Sequence, residues 1–163
     1  MKKILLIAMM LVLTLSFVAC KGEEKTEGGS EEKNIEGSAA DIAKKVVDDG
    51  EFVDEVVEID MEMINQKLDI DGAKTKEAAC YYGTGDSANI VYVAIFNEEA
   101  DAKDAKDKFA TYLDELKTAN ENYDPEELGK IEDATVVINK KYAIMVISDD
   151  NEKAQKAIDS FKK

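Results

Sequence analysis

The sequence predicts an α+β domain built on a four-stranded, mainly antiparallel sheet. Three observations carry this. Two pairs of short apolar runs, 78–82 with 90–96 and 134–138 with 142–147, are each joined by turn-forming residues and read as β-hairpins. Each pair is followed by a stretch whose apolar residues recur at helical spacing. At an offset of 52 positions, Ala102, Ala105 and Phe109 match Ala154, Ala157 and Phe161, and Ile95 matches Ile147. The match fits two β-β-α units. It arises either from a duplication or because any helix on a sheet needs small residues and one large plug. Both readings place the two long helices on one face of the sheet, with the N-terminal helices closing the other face or an edge.

The chain begins with Lys2 and Lys3, then an apolar run from residue 4 to 15 broken only by Thr14, then Ser16 and Ala19 before Cys20. A positive start, a short apolar run and a small-residue cleavage site describe an export signal over residues 1–19. The run falls short of the roughly 20 apolar residues that a transmembrane helix needs. Phe17-Val18-Ala19-Cys20 resembles the lipobox of bacterial lipoproteins, with Phe17 in place of the usual Leu. The resemblance implies cleavage between Ala19 and Cys20 and a diacylglyceryl group on the Cys20 sulfur. Two acyl chains make a stable anchor where one is marginal.

Removing the leader takes away Lys2 and Lys3, so the net charge of −15 becomes −17. Such a surface repels nucleic acid and anionic headgroups, which leaves membrane affinity to the lipid. All basic residues are Lys, and the chain has no His, Arg or Trp. That excludes a His general base, a His-ligated zinc and a bidentate Arg clamp. With Cys20 lipidated, Cys80 is left without an intramolecular disulfide partner.

Residues 20–37 comprise the lipidated Cys20 and a stretch, 21–37, with one apolar residue, Ile35, among Glu, Gly and Lys, and are expected to form a disordered acidic tether. A flexible tether of this length spans roughly 20–25 Å. The folded domain is expected over 38–163, about 125 residues and one domain's worth. Ser38 suits an N-cap with Asp41 three residues on, and Ala39, Ile42, Ala43, Val46 and Val47 form one helical face that Gly50 stops. Residues 52–59 read as extended or irregular, and Asp60 caps a short helix that ends at Asp69-Ile70-Asp71-Gly72. The first hairpin turns through Gly83-Thr84-Gly85-Asp86-Ser87. Ala102, Ala105, Phe109, Tyr112, Leu113 and Leu116 then stripe a long helix to about Asn120, and Asp124-Pro125 starts a further short turn. Asn139-Lys140 turns the second hairpin, and Asp149 and Asp150 cap the last helix.

Several of these features, taken in order, resemble a known family. They are the lipoprotein signal, the acidic tether, the helix ending at Gly50 with Phe52, then Asp69-Ile70-Asp71, Tyr81-x-Gly83, Asn89-Ile90, Phe96, a charged helix, Tyr123-x-Pro125 and a final hairpin with Tyr142. Their order is similar to that in the bacterial lipoprotein family called domain of unknown function 4358, over residues 38–162. Ala88-Asn89-Ile90 stands where the family often has Glu-Glu-Ile, and Lys141 where a Gly often precedes the Tyr. The family name carries no activity, so the resemblance implies no catalytic residues.

The residues themselves offer few chemical candidates. Cys80 sits mid-strand among Ala and Tyr and reads as a small buried hydrophobe. Asp69-Ile70-Asp71-Gly72 lacks the later ligands of an EF-hand and reads as a helix-ending turn. Gly83-Thr84-Gly85 does not open into a helix, as a phosphate loop would. Asp149-Asp150-Asn151-Glu152 reads as helix capping, and the carboxylates of 101–115 as a solvated face. Tyr81, Tyr82, Tyr92, Tyr123 and Tyr142 form a candidate binding surface, since Tyr couples contact area to a polar tip. The expected function is a non-enzymatic, lipid-anchored domain outside the cytoplasm. It would bind an envelope protein or a small molecule and need no cofactor, metal or nucleic acid. The alternatives are a small-ligand or cation-binding lipoprotein serving a transporter, and a hydrolase using paired carboxylates.

Overall fold

The computed structural model describes residues 33–163. Phe17, Val18, Ala19 and Cys20, and with them the expected cleavage and lipidation sites, lie outside the described residues, as does the tether as far as residue 32. The elements are α1 (Ala39–Asp49), β1 (Val56–Glu58), α2 (Met61–Lys67), a 3-10 turn (Gly72–Lys74), β2 (Thr75–Gly83), β3 (Ile90–Phe96), α3 (Glu99–Asn120), α4 (Pro125–Glu132), β4 (Thr135–Asn139), β5 (Tyr142–Ile147) and α5 (Asn151–Asp159). The strands form one antiparallel sheet in the order β1-β2-β3-β5-β4. This corrects the expected four strands. The added strand, β1, has only three residues, and two of them are exposed, so it shows no apolar alternation.

Local chemistry sets the helix ends. Ser38 accepts from the Asp41 N–H at 3.0 Å, and Asp60 from the Glu62 N–H at 2.7 Å. Asp124 accepts from both Glu126 and Glu127, with Pro125 at the first helical position, so the expected short turn grows into α4. α2 closes with Asp69 at φ 52°, its N–H reaching Gln66 O and that of Ile70 reaching Asn65 O at 2.8 Å. That is a Schellman ending, and it accounts for Asp69-Ile70-Asp71 without calcium. Gly50 stops α1 by proximity rather than by a left-handed backbone. A Cβ there would lie 2.5 Å from Val46 O and 2.9 Å from the Phe52 ring.

Strand alternation divides the interior into two layers. Cys80, Ile90, Tyr92, Ala94, Phe96, Ala143, Met145 and Ile147 face α2, α3 and α4. Ala79, Val91, Val93, Ile95, Ile144 and Val146 face α1 and α5. The two long helices therefore lie on opposite faces, which corrects the expected placement on one face. The offset of 52 explains the discrepancy. It pairs Tyr92 with Ile144 and Ile95 with Ile147, residues that point to opposite sides. Rotating one β-β-α unit about the sheet normal would leave its helix on the same side, so the two units are of opposite hand. The matching Ala and Phe residues reflect a common packing demand. α3 sets Phe109 edge-on to Tyr92, at a centroid distance of 5.6 Å.

β3 and β4 run parallel with β5 between them, so β3, α3, α4 and β4 form a split crossover. The folded part also begins before Ser38. Ile35 is buried against α1 and α5 and bridges Lys162. Asn34 and Lys163 exchange backbone hydrogen bonds at 3.1 and 3.0 Å. The single apolar residue of the expected tether is thus part of the core. Among the described residues no helix is long and apolar enough to cross a membrane.

Candidate binding surface

The structure disperses the five tyrosines. Tyr92 is fully buried under α3 and donates to Asn65 Oδ1 at 3.0 Å, and burial pushes its hydroxyl well above the ordinary tyrosine range. Tyr82 packs on the same face, partly exposed, with the Lys67 ammonium 4.7 Å from its ring centroid and its hydroxyl bonded to Lys67 and Tyr112. Tyr81 and Tyr142 pack on the opposite face, and Tyr142 donates to Gly37 O at 2.9 Å. Tyr123 stands alone in the loop after α3, 77% exposed. The five side chains therefore make no single surface. Cys80 is fully buried, and burial pushes its thiol up to about 12, the environment of an inert core cysteine.

The strongest electrostatic arrangement joins parts of the chain that sequence reasoning had left separate. Lys130, with a side chain 16% exposed, donates to Glu127 at 2.5 Å and to Asp149 at 2.8 Å. Glu127 also accepts from the Ala88 N–H at 2.7 Å. Asp149 accepts from the Val53 N–H at 2.8 Å and from Asn89 Nδ2 at 3.2 Å. Burial alone would raise the Asp149 pKa, but the bonds from Lys130, Val53 and Asn89 outweigh it and hold the carboxyl below its usual range. Burial would likewise lower the Lys130 pKa, and the two carboxylates raise it instead. The expected capping role of Asp149 is thus corrected: Asp150 alone caps α5, accepting from the Lys153 N–H at 3.0 Å. The cluster is a clamp that ties α4 and the β5–α5 corner to the loop before β1 and to the β2–β3 turn. Glu127 and Ile131 stand one turn apart on α4 with Lys130 beside them, and that spacing was the available signal.

The open feature of the molecule lies at the other end of β2. α2, the Asp69–Gly72 turn and the first half of β2 enclose a groove of about 770 Å³. Glu62, Asp69 and Asp71 stand along it with one cation, Lys76; Asp69 also pairs with Lys108, Glu77 turns its carboxylate to the Ala39 N–H at 2.7 Å on the α1 face, and Asn65 holds the buried Tyr92. β1 covers only the upper half of β2, pairing with residues 81–83. The last bond of that pairing is Ile59 N–H to Cys80 O at 3.1 Å. Gly83 bonds to Asn89, so the odd residues of β2 turn their backbone groups to β3 and the even ones turn away. The N–H and C=O of Ala78 thus point into the groove just where β1 has ended.

No curated protein and no solved structure matches the chain. The family model described as "Domain of unknown function (DUF4358)" matches residues 48–148, which span α1's end through β5 and include the groove, Asn89 and Lys130. The chain belongs to the DUF4358 family.

Proposed function

We propose that this protein is a lipid-anchored lipoprotein outside the cytoplasm whose domain binds a partner rather than catalyses a reaction. The observation that carries the binding reading is the half-open edge of β2, facing a groove with acidic walls. A strand edge offers main-chain affinity to an extended segment, and the side chains around it set which segment fits. Here Glu62, Asp69 and Asp71 favour an extended, basic segment of an envelope protein, lying where β1 would continue. The buried thiol and the Lys130 clamp support a non-catalytic role, since these perturbed groups are already held by burial or by partners within the fold. The lipobox at Phe17-Val18-Ala19-Cys20 supports the anchor.

Two measurements test the two parts. Cell fractionation of Cys20→Ala should release the protein from the membrane, and retention would sink the anchor reading. For the groove, a synthetic peptide of alternating Lys and Val should shift the amide resonances of Lys76 and Ala78, while a Glu-Val counterpart should not. Ala78→Pro removes the N–H aimed into the groove and leaves the pairing to β3, so it should abolish the shift. Equal response to both peptides, or none, would refute the groove reading.

A further inference from the structure

A second strand edge, on the far side of the sheet, carries a separate inference. β4 is an edge strand paired only with β5, in unbroken register from Thr135–Val146 to Asn139–Tyr142. Natural edge strands are guarded by proline, a bulge, an inward charge or shortness. β1 is so guarded, with three residues ending at Glu58 and with Asp54 and Glu55 just before them. β4 has none of these devices. Its sequence is Thr-Val-Val-Ile-Asn, half-buried throughout, with Val136 and Ile138 packed on one face and Val137 on the other.

The hairpin at Lys140-Lys141 pairs Asn139 with Tyr142, so the odd residues of β4 bond to β5. The backbone N–H and C=O of Val136 and Ile138 therefore point outward, and no backbone partner among the described residues meets them. Charge brackets this neutral strand asymmetrically. Glu132 and Asp133 precede it, and Lys140 and Lys141 follow it, all exposed. Turning a second copy antiparallel about Val137 sets Val136 against the partner copy's Ile138, a register in which those outward groups meet. The same operation sets Ala134 of each copy against Lys140 of the other, with Asp133 next to it; Lys140 is the turn residue on the β4 side, whereas Lys141 continues β5 and donates to Asn97 O. A two-fold axis demands a self-complementary patch, and acid at one end with base at the other supplies it.

We propose that β4 is a homodimer interface at which two copies pair β4 to β4, antiparallel about Val137, joining their sheets into one. The occupant is a second copy because the strand's two ends complement each other. On a chain this acidic, Lys140 also supplies attraction that lets like-charged molecules approach. The interface lies on the edge opposite the groove and is independent of the function proposed above.

The test uses two differently tagged full-length copies, co-expressed, solubilised in non-ionic detergent and pulled down through one tag. Wild-type copies should co-purify. Asp133→Lys with itself, and Lys140→Glu with itself, should each lose the association, because the pair at each end of the interface becomes like-charged. Asp133→Lys with Lys140→Glu should restore it, since the pair at each end is again of opposite charge. Recovery in the mixed pair also shows that both variants fold. Absence of wild-type association, indifference to the single variants, or failure of the mixed pair would each overturn the proposal.

Discussion

Asp149 and Lys130 show how much one pair of residues can organise. Each neutralises the other at a site where neither is well solvated, with side chains 12% and 16% exposed. Lys130→Met keeps much of the bulk but leaves Glu127 and Asp149 facing one another without a cation. Removing one partner of a buried pair costs about 3–5 kcal/mol, and urea unfolding should show a loss of that size. The clamp also sets a pH dependence. Folded, Asp149 holds its proton less tightly than in the unfolded chain, where its pKa is ordinary. Its contribution is therefore fully present above that ordinary pKa and is lost as the pH falls through the lower, folded one. The wild type should lose more stability than Asp149→Asn between about pH 5 and about pH 3. Equal losses in the two would refute this. Asn89 adds a further constraint. It is fully buried, its Nδ2 serves Asp149, and its Oδ1 has no partner among the described residues. This clamp was not legible in the sequence, because Glu127 and Asp149 meet the Ala88-Asn89 corner from 39 and 60 positions away.

Single elements were far more legible than their arrangement. Ser38, Asp60 and Asp124-Pro125 announced three helix starts, because a cap is a contact with the next turn and needs nothing distant. The runs at 90–96 and 142–147 became strands with those bounds, since continuous apolar residues suit strands covered on both faces. Which face each helix covers was hidden. The stripe of α3 and that of α5 are alike, and only the parity of the strands, Tyr92 inward to α3 against Ile144 inward to α5, separates them. The layer under α3 depends on Phe109, which is fully buried against Tyr92. Phe109→Ala should cost about 3–5 kcal/mol in thermal or urea unfolding. The layer under α5 has no ring of that size at its centre and relies on Ala154, Ala157 and Ile158 lying close to α1. Ala154→Leu should overpack it and cost about 1–3 kcal/mol.

At the scale of the whole molecule, the two ends of the described chain hold each other. Ile35 fills a place between α1 and α5, and Asn34 and Lys163 close a backbone bridge beside it. Ile35→Ala should cost about 2 kcal/mol or more and speed amide exchange at Glu36 and Lys163. Unchanged exchange at those two amides would show that the bridge stands without the side chain. The central position of β5 has a consequence in time as well as in space. It is the last strand along the chain, yet it lies between β3 and β4 and completes the bonding of both. A chain that leaves a ribosome or a narrow channel N-terminus first therefore exposes β3 with one side unmatched until residue 147 has emerged. The bridge at Asn34 waits longer still, for residue 163. The native pairing of such a polypeptide is complete only once its last residues are free.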